Sequence, residues 1–425
     1  MNVAVIGAGW AGLAAAVAAS RDGHGVTLFE SSRALGGRAR SLPMTLPDGS
    51  QVMLDNGQHI MIGAYTATLQ LMREIGIDPT AVLLRLPLTL RFPDGVGIAL
   101  PELPTPLDAA WGIARARGWT VRDKTSLFAA ALRWQLAHFE CEPRETVLQA
   151  CRGVTPRVME QLIEPLCVSA LNTPAARASG QVFLRVVRDA LFGRGHGRWG
   201  GSNLLLPRLD LGRLFPEAAA HWLAGRGARI VMGQRVQQLT PDGTGWQVDG
   251  QGFDAVLLAC PPWEAARLVR SAGLARGDWL VREQALTHES IATVYASGGP
   301  RLPQPMLALH SSDSEPAQFV FDRAQLGGPA GLLAFVVSAS QHDREVLQEH
   351  VLAQARVLGW SGLTAVQTVI EKRATFACTP GLLRPAMQVA PGLLACGDYV
   401  DGPYPATIEG AVRSALSAAA LLTGR

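Results

Sequence analysis

Val3-Ala4-Val5-Ile6-Gly7-Ala8-Gly9-Trp10-Ala11-Gly12 stands at the start of the chain, and its reading decides the fold. Val3 to Ile6 is an apolar run, as expected of a strand buried on both faces. The G-x-G-x-x-G turn after it predicts a helix from about Ala11 to Ser20. Gly7 permits a tight turn, Gly9 lets the backbone approach a pyrophosphate, and Gly12 lets helix and strand pack closely. Trp10 and Ala11 lie at the helix start, whose free N–H groups are expected to point at phosphate oxygens. Val26-Thr27-Leu28-Phe29 reads as the second strand. Glu30 ends it where a carboxylate accepts hydrogen bonds from a ribose hydroxyl, with Ser31 beside it. The strand–turn–helix–strand–acid order makes a dinucleotide site specific, although taken alone it fits NAD and FAD equally.

The other end of the sequence points to a flavin. Gly392-Leu393-Leu394-Ala395-Cys396-Gly397-Asp398 reads as a further buried strand ending in Gly-Asp. Pro405-Ala406-Thr407-Ile408-Glu409-Gly410-Ala411-Val412 begins an Ala-rich helix. Asp398, through the Gly397-Asp398 turn, is expected at the ribityl or phosphate end of a non-covalent FAD. Thr407 and Ile408 are expected near the flavin pyrimidine, where a helix N-terminus favours negative charge. In Leu35-Gly36-Gly37-Arg38-Ala39-Arg40-Ser41, Gly36 and Gly37 allow positive φ and close approach, and Arg38 offers a planar guanidinium to the phosphates. Cys396, at the end of a buried strand, is expected to pack rather than to bond a flavin.

These segments, together with Asp55-Asn56-Gly57-Gln58-His59, resemble the amine oxidase and phytoene desaturase superfamily of FAD enzymes. The resemblance implies Val236 beside the adenine, on a strand, and Gln58 and His59 beside the isoalloxazine. The expected fold class is α/β: a Rossmann-type, discontinuous FAD-binding domain at 1–75, 196–268 and 386–425, with a second mixed sheet-and-helix substrate domain at 76–195 and 269–385.

Composition agrees with an enzyme of this kind. At 425 residues the chain is long enough for two domains. Its net charge of +3 makes no case for nucleic acid, and Lys124 and Lys372 are its only lysines. The six cysteines form no C-x-x-C pair, which argues for a reducing compartment and against a zinc site. With neither a signal peptide nor a membrane-spanning run evident, the expected location is cytoplasmic.

A narrower resemblance rests on Glu164-Pro165-Leu166-Cys167-Val168-Ser169-Ala170-Leu171-Asn172-Thr173-Pro174 and on Gln58-His59-Ile60-Met61-Ile62-Gly63-Ala64-Tyr65. These look like the squalene-associated branch, the hydroxysqualene dehydroxylases of hopanoid biosynthesis. What that branch implies is reduction: hydroxysqualene loses its hydroxyl and becomes squalene, with reduced FAD as electron source and an external donor behind it. Two alternatives remain open, a carotenoid-type desaturase and a non-catalytic prenyl-lipid carrier. No catalytic residue carries over, so an acid for the leaving oxygen is sought in the chemistry. His59 is the first candidate and Tyr404 the second; a positioning role and a packing role are the respective alternatives.

Finally, Trp111-Gly112-Ile113-Ala114-Arg115-Ala116-Arg117-Gly118-Trp119 and then Arg122, Lys124, Leu127, Phe128, Leu132, Arg133 and Trp134 mix cations with large apolar groups. This suits a helix lying at the inner face of the cell membrane, its tryptophans at headgroup level. It equally suits an amphipathic lid over the substrate domain.

Overall fold

A computed structural model describes residues 1–193, 195–197, 199–274 and 277–423. The fold is α/β. Its central sheet has the order Arg229–Met232, Gly25–Glu30, Asn2–Ile6, Ala255–Leu258, Leu393–Ala395, Gln388–Ala390. The first five strands are parallel and the last is antiparallel. Strand side chains alternate between faces, and here both faces are buried. Val3 and Val5 pack with the helices Trp10–Arg21 and Ile408–Thr423. Ala4 and Ile6 turn the other way and join Trp246, Val248 and Phe253 of a three-stranded antiparallel sheet, Leu239–Asp242, Gly245–Val248 and Gln251–Phe253. The two helices pack against each other, and Ala14, Ala15, Ala415 and Ala418 are buried in the core they share. Val236 departs from expectation. It lies in the irregular segment between Arg229–Met232 and Leu239–Asp242, not on a strand.

A second sheet is fully antiparallel, in the order Met306–Ala308, Phe319–Asp322, Leu333–Ser338, His288–Ser297, Thr364–Phe376. Ala292, Val294, Phe335 and Val337 face the helix Arg344–Val357 through Leu347, Val351 and Ala355. Phe319, Phe321 and Val336 face the opposite way, into a large cavity. Helices Leu107–Ala114, Val121–Leu136, Glu164–Leu171 and Gly180–Phe192 contribute walls to the same cavity. A small sheet of Met61–Ile62, Leu204–Pro207 and Leu83–Leu86 ties early and middle segments of the chain together.

The Trp- and Arg-rich stretch is two helices, not one. Val121–Leu136 starts with a capping box in which Thr120 and Asp123 satisfy each other's backbone N–H, worth about 1 kcal/mol. Two of the three tryptophans expected at headgroup level are in the core. Trp119 is buried and its Nε1–H donates to Gln161 Oε1 at 2.8 Å; Trp134 is buried and donates to Ala150 O at 2.9 Å. An indole whose N–H already has a buried partner has no reason to seek the interface. Trp111 alone of the three is exposed. The apolar groups that do face out include Phe128, Leu132 and Leu136, spaced four apart along one helix face, Val121 at the start of that helix, and Leu107 and Trp111 on the neighbouring one.

Candidate flavin and substrate site

One cavity of about 1270 Å³ runs from the glycine turn at Gly7 and Gly9 to the apolar residues Leu107, Phe128, Leu132 and Phe192, all four of them exposed. Single-ligand sites are commonly about 300–1,000 Å³. This one has room for a cofactor and a second molecule end to end.

At the cofactor end the backbone leaves little choice of residue. Gly7 has φ +109°, its N–H donates to Phe29 O at 2.7 Å, and a Cβ there would lie 2.7 Å from Ala259 O. A Cβ on Gly12 would lie 1.7 Å from Gly7 O, so helix and turn meet there at backbone contact. A Cβ on Gly9 would come no nearer to a protein atom than 3.8 Å, at Gly37 Cα. The space it would take is cavity. Gly36 N–H donates to Ala8 O at 2.9 Å and brings the second glycine turn, with Gly37 at φ +62°, across from the first. The two glycine turns meet at backbone contact, a Cβ on Gly37 lying 3.1 Å from Gly9 Cα, and together give the cavity a cradle of bare backbone that a pyrophosphate can approach closely. Trp10 holds this arrangement: its Nε1–H donates to Ala39 O at 3.1 Å and its ring stacks on Phe215 at 4.8 Å. Buried Ala11 packs just behind it.

The Glu30 carboxylate is fixed by backbone donors, Ala8 N–H at 2.7 Å to Oε2 and Ser32 N–H at 2.8 Å to Oε1. It lines the cavity with Ser31 on one side and buried Val236 on another. Arg38 and Asp398, expected separately on the cofactor, form an ion pair with each other, and Arg38 Nη1 also donates to Ala374 O at 2.9 Å. Burial opposes the charge on Arg38; the Asp398 and Glu371 carboxylates overcome this and hold its pKa above the ordinary value. Gly397 is tied to the last helix through Ser414, whose Oγ accepts from Gly397 N–H at 2.8 Å and donates to Gly397 O at 3.0 Å. Thr407 caps that helix, its Oγ1 accepting from Gly410 N–H at 3.0 Å, and Ile408 is its first residue. Just before the cap, Tyr404 and Ala406 both have φ +58°. Such left-handed backbone costs non-glycine residues about 1–3 kcal/mol each, and both residues line the cavity. Cys396 is fully buried and follows the strand Leu393–Ala395.

At the substrate end, His59 Nδ1 lies 2.7 Å from Gly57 O. A carbonyl only accepts, so Nδ1 carries the proton and Nε2 of the neutral ring is a bare acceptor. Burial pushes the pKa of His59 below the ordinary value. Tyr404 donates its phenolic proton to Asp189 Oδ2 at 2.7 Å. Burial first, then the Asp189 carboxylate, push this phenol well above its usual range. The resting imidazole therefore has no proton on Nε2 to give, and the phenol holds its own firmly.

Beneath the 55–59 loop lies a buried polar cluster. Tyr295 O–H donates to Asp55 O at 2.8 Å, and Asp55 Oδ1 accepts from Leu211 N–H at 2.7 Å. Burial pushes the Asp55 carboxyl up to about 7, against the pull of Arg323. Arg323 Nη1 donates to Gln58 Oε1 at 2.7 Å. Sequence reasoning missed Arg323 and Asp189. An Asp-Arg pair closing the apolar strand Phe319–Asp322 was a visible signal for the first. For Asp189, in the last turn of the helix Gly180–Phe192, no signal stands out.

With this geometry in view, the similarities to known proteins take on meaning. The sequence profile described as flavin containing amine oxidoreductase matches residues 10–423. Hydroxysqualene dehydroxylase of Rhodopseudomonas palustris is 28% identical over 445 residues, covering 99% of this chain and 98% of that protein. Hydroxysqualene dehydroxylase of Zymomonas mobilis is 24% identical over 450 residues, 98% of each chain. Among solved structures, an oxidoreductase from Methanosarcina mazei superposes with a TM-score of 0.73 at 15% identity, covering all of both chains. A profile that matches nearly end to end and a cradle shaped for a dinucleotide lead to one assignment: the chain belongs to the flavin-containing amine oxidoreductases, as an FAD-dependent oxidoreductase.

Proposed function

We propose that this enzyme removes the hydroxyl of hydroxysqualene reductively, giving squalene. The observation that carries the reading is the single cavity, which continues from the glycine cradle into walls of Leu100, Ile113, Leu127, Phe183, Phe319 and Phe321. Such walls suit a long hydrocarbon and keep water from it. The two full-length dehydroxylase relatives support the choice of substrate.

Reduced FAD, when bound, supplies hydride to the carbon that loses oxygen. The cradle of Gly7, Gly9 and Gly37 would hold its pyrophosphate, Glu30 its ribose, and the helix starting at Ile408 its anionic end. The residues around the substrate have three tasks. Apolar walls orient the chain and exclude water from the allylic cation formed when the C–O bond breaks with its electron pair. The oxygen must gain a proton to leave as water, and His59 Nε2 is the atom that can carry it once the imidazole is charged. Tyr404, anchored on Asp189, forms part of the wall of the same cavity. The two electrons come from an external donor.

Delivery belongs to the same proposal. No helix among the described residues is long and apolar enough to cross a membrane. The exposed apolar groups at the cavity mouth fit docking onto a bilayer, from which an insoluble substrate enters directly.

Anaerobic incubation of the dithionite-reduced enzyme with hydroxysqualene tests the reading. Squalene as product, with stoichiometric reoxidation of the flavin, is the expected result. Unchanged hydroxysqualene beside a flavin that stays reduced overturns it.

A further inference from the structure

The diphosphate of FAD is negatively charged, and the cradle offers it backbone N–H groups and one helix terminus. From the sequence, Arg38 is the cation expected to balance that charge. Among the described residues, six arginines and lysines line the cavity. Four of them are already matched by carboxylates. Arg38 pairs with Asp398, and Arg40 with Glu371 at 3.5 Å. Arg235 and Arg267 converge on Glu264 at 2.6 and 3.0 Å, and Arg267 also donates to Val236 O and Gln237 O. Lys372 and Arg373 have no carboxylate within 4.0 Å among the described residues.

Arg373 is tied to the cradle from two sides. Its guanidinium lies over the Trp263 ring, 4.5 Å from the centroid. Trp263 closely follows Ala259 and Cys260, the backbone against which Gly7 is packed: a Cβ on that glycine would lie 3.1 Å from Cys260 N. On the other side, the carbonyl of the next residue, Ala374, accepts from Arg38, which follows Gly37 of the second turn. The His288 ring stands edge-on to Trp263 at 5.3 Å. Burial first, then the charges of Arg38 and Arg373, push the His288 pKa below its ordinary value, so both cations flank one imidazole. The strand is also interrupted at this point. Thr364–Phe376 pairs with His288–Ser297 at Glu371 with Ile291 and next at Thr375 with Glu289, so residues 372–374 stand opposite a single residue. Bulges of this kind re-aim side chains beside functional sites.

We propose that Arg373, held over Trp263, is the residue that meets the charge of the FAD diphosphate. A guanidinium over a ring uses its face and keeps its N–H edge free, and that planar fork matches phosphate oxygens. Arg38, paired with Asp398, instead ties the second glycine turn to Ala374 O. Arg373 belongs to the second sheet, so cofactor binding joins that sheet to the glycine turns of the first. The inference rests on the flavin assignment and holds whatever the substrate.

The test is release of FAD from the holoenzyme. Each protein is diluted serially, free FAD is collected by ultrafiltration, and Kd is read at low and high salt (about 50 and 500 mM KCl). Arg373→Gln is expected to raise Kd about tenfold or more at low salt, as the loss of a charge-assisted hydrogen bond does. The gap should narrow at high salt, because an exposed cation is screened. Arg373→Lys keeps the charge and is expected to stay within about threefold of the wild type. Displacement of FAD by ADP and by adenosine isolates the diphosphate: the wild type is expected to prefer ADP, and Arg373→Gln to lose about tenfold of that preference. Lys372→Gln removes a charge nearby in the same wall and is expected to change Kd by less than about twofold. Arg373 is exposed, so its replacement leaves the core intact. Tm at saturating FAD checks this, and Arg373→Met stands in if the glutamine variant does not fold. A Kd for Arg373→Gln within about twofold of the wild type, equal losses for ADP and adenosine, or an equal loss in Lys372→Gln overturns the assignment.

Discussion

Replacing Asp55 by Asn tests the buried cluster under the 55–59 loop through its dependence on pH. Asp55 is 1% exposed and burial pushes its carboxyl from the ordinary 3.8 up to about 7. Near pH 3 and below, the carboxyl is mostly protonated in both folded and unfolded chains and linkage adds little. As pH rises past 3.8 the unfolded chain ionises while the folded one does not, so the wild type loses about 1.4 kcal/mol per unit. The loss stops growing above about 7, where the folded carboxyl ionises too, and its ceiling is about 4 kcal/mol. Asparagine cannot ionise, and its Oδ1 still accepts from Leu211 N–H. For 425 residues, 1 kcal/mol moves Tm by about 1 °C. The difference in Tm between Asp55→Asn and wild type should therefore grow in the variant's favour by about 4 °C between pH 4 and 7.5, then level off. Differential scanning fluorimetry at saturating FAD and one scan rate measures it. A difference that stays constant across this range refutes a carboxyl held neutral by burial.

Two other outcomes follow from the site. Because burial keeps His59 neutral, a step that needs a charged imidazole should quicken as pH falls below 6.5, and His59→Ala should retain FAD, slow dehydroxylation by roughly 10²-fold and flatten that profile; a steep profile surviving in the variant places the proton elsewhere. Sedimentation with anionic liposomes should carry down the wild type and leave in solution a Phe128→Ser, Leu132→Ser, Leu136→Ser variant, since each large apolar side chain is worth about 1.5–3 kcal/mol on burial; equal sedimentation of the two removes this face from the docking argument.

The elements legible in the sequence were those fixed by local rules. The first strand, the glycine turn and its helix follow from steric demands within a dozen residues, and the structure shows why no larger side chain fits at Gly7 or Gly12. What escaped depends on partners distant in sequence. Arg323 meets Gln58 across 265 positions, and Tyr404 meets Asp189 across 215. Trp119 and Trp134 misled because composition says which side chains are amphipathic, not which already have a buried acceptor. Val236 was assigned to a strand on resemblance, and its own neighbours gave no alternation to test that against.

The order of the central sheet has a consequence for the nascent chain. Asn2–Ile6 can pair early with Gly25–Glu30, but its other edge belongs to Ala255–Leu258, about 250 residues later. At about 5–20 residues per second, translation leaves that apolar edge open for roughly 10 to 50 s. An unpaired hydrophobic strand edge is a template for aggregation. The enzyme's yield in a cell should accordingly depend on what shields residues 2–6 while the middle of the protein is still being made, and chaperone supply during synthesis becomes as much a determinant of active enzyme as the finished fold.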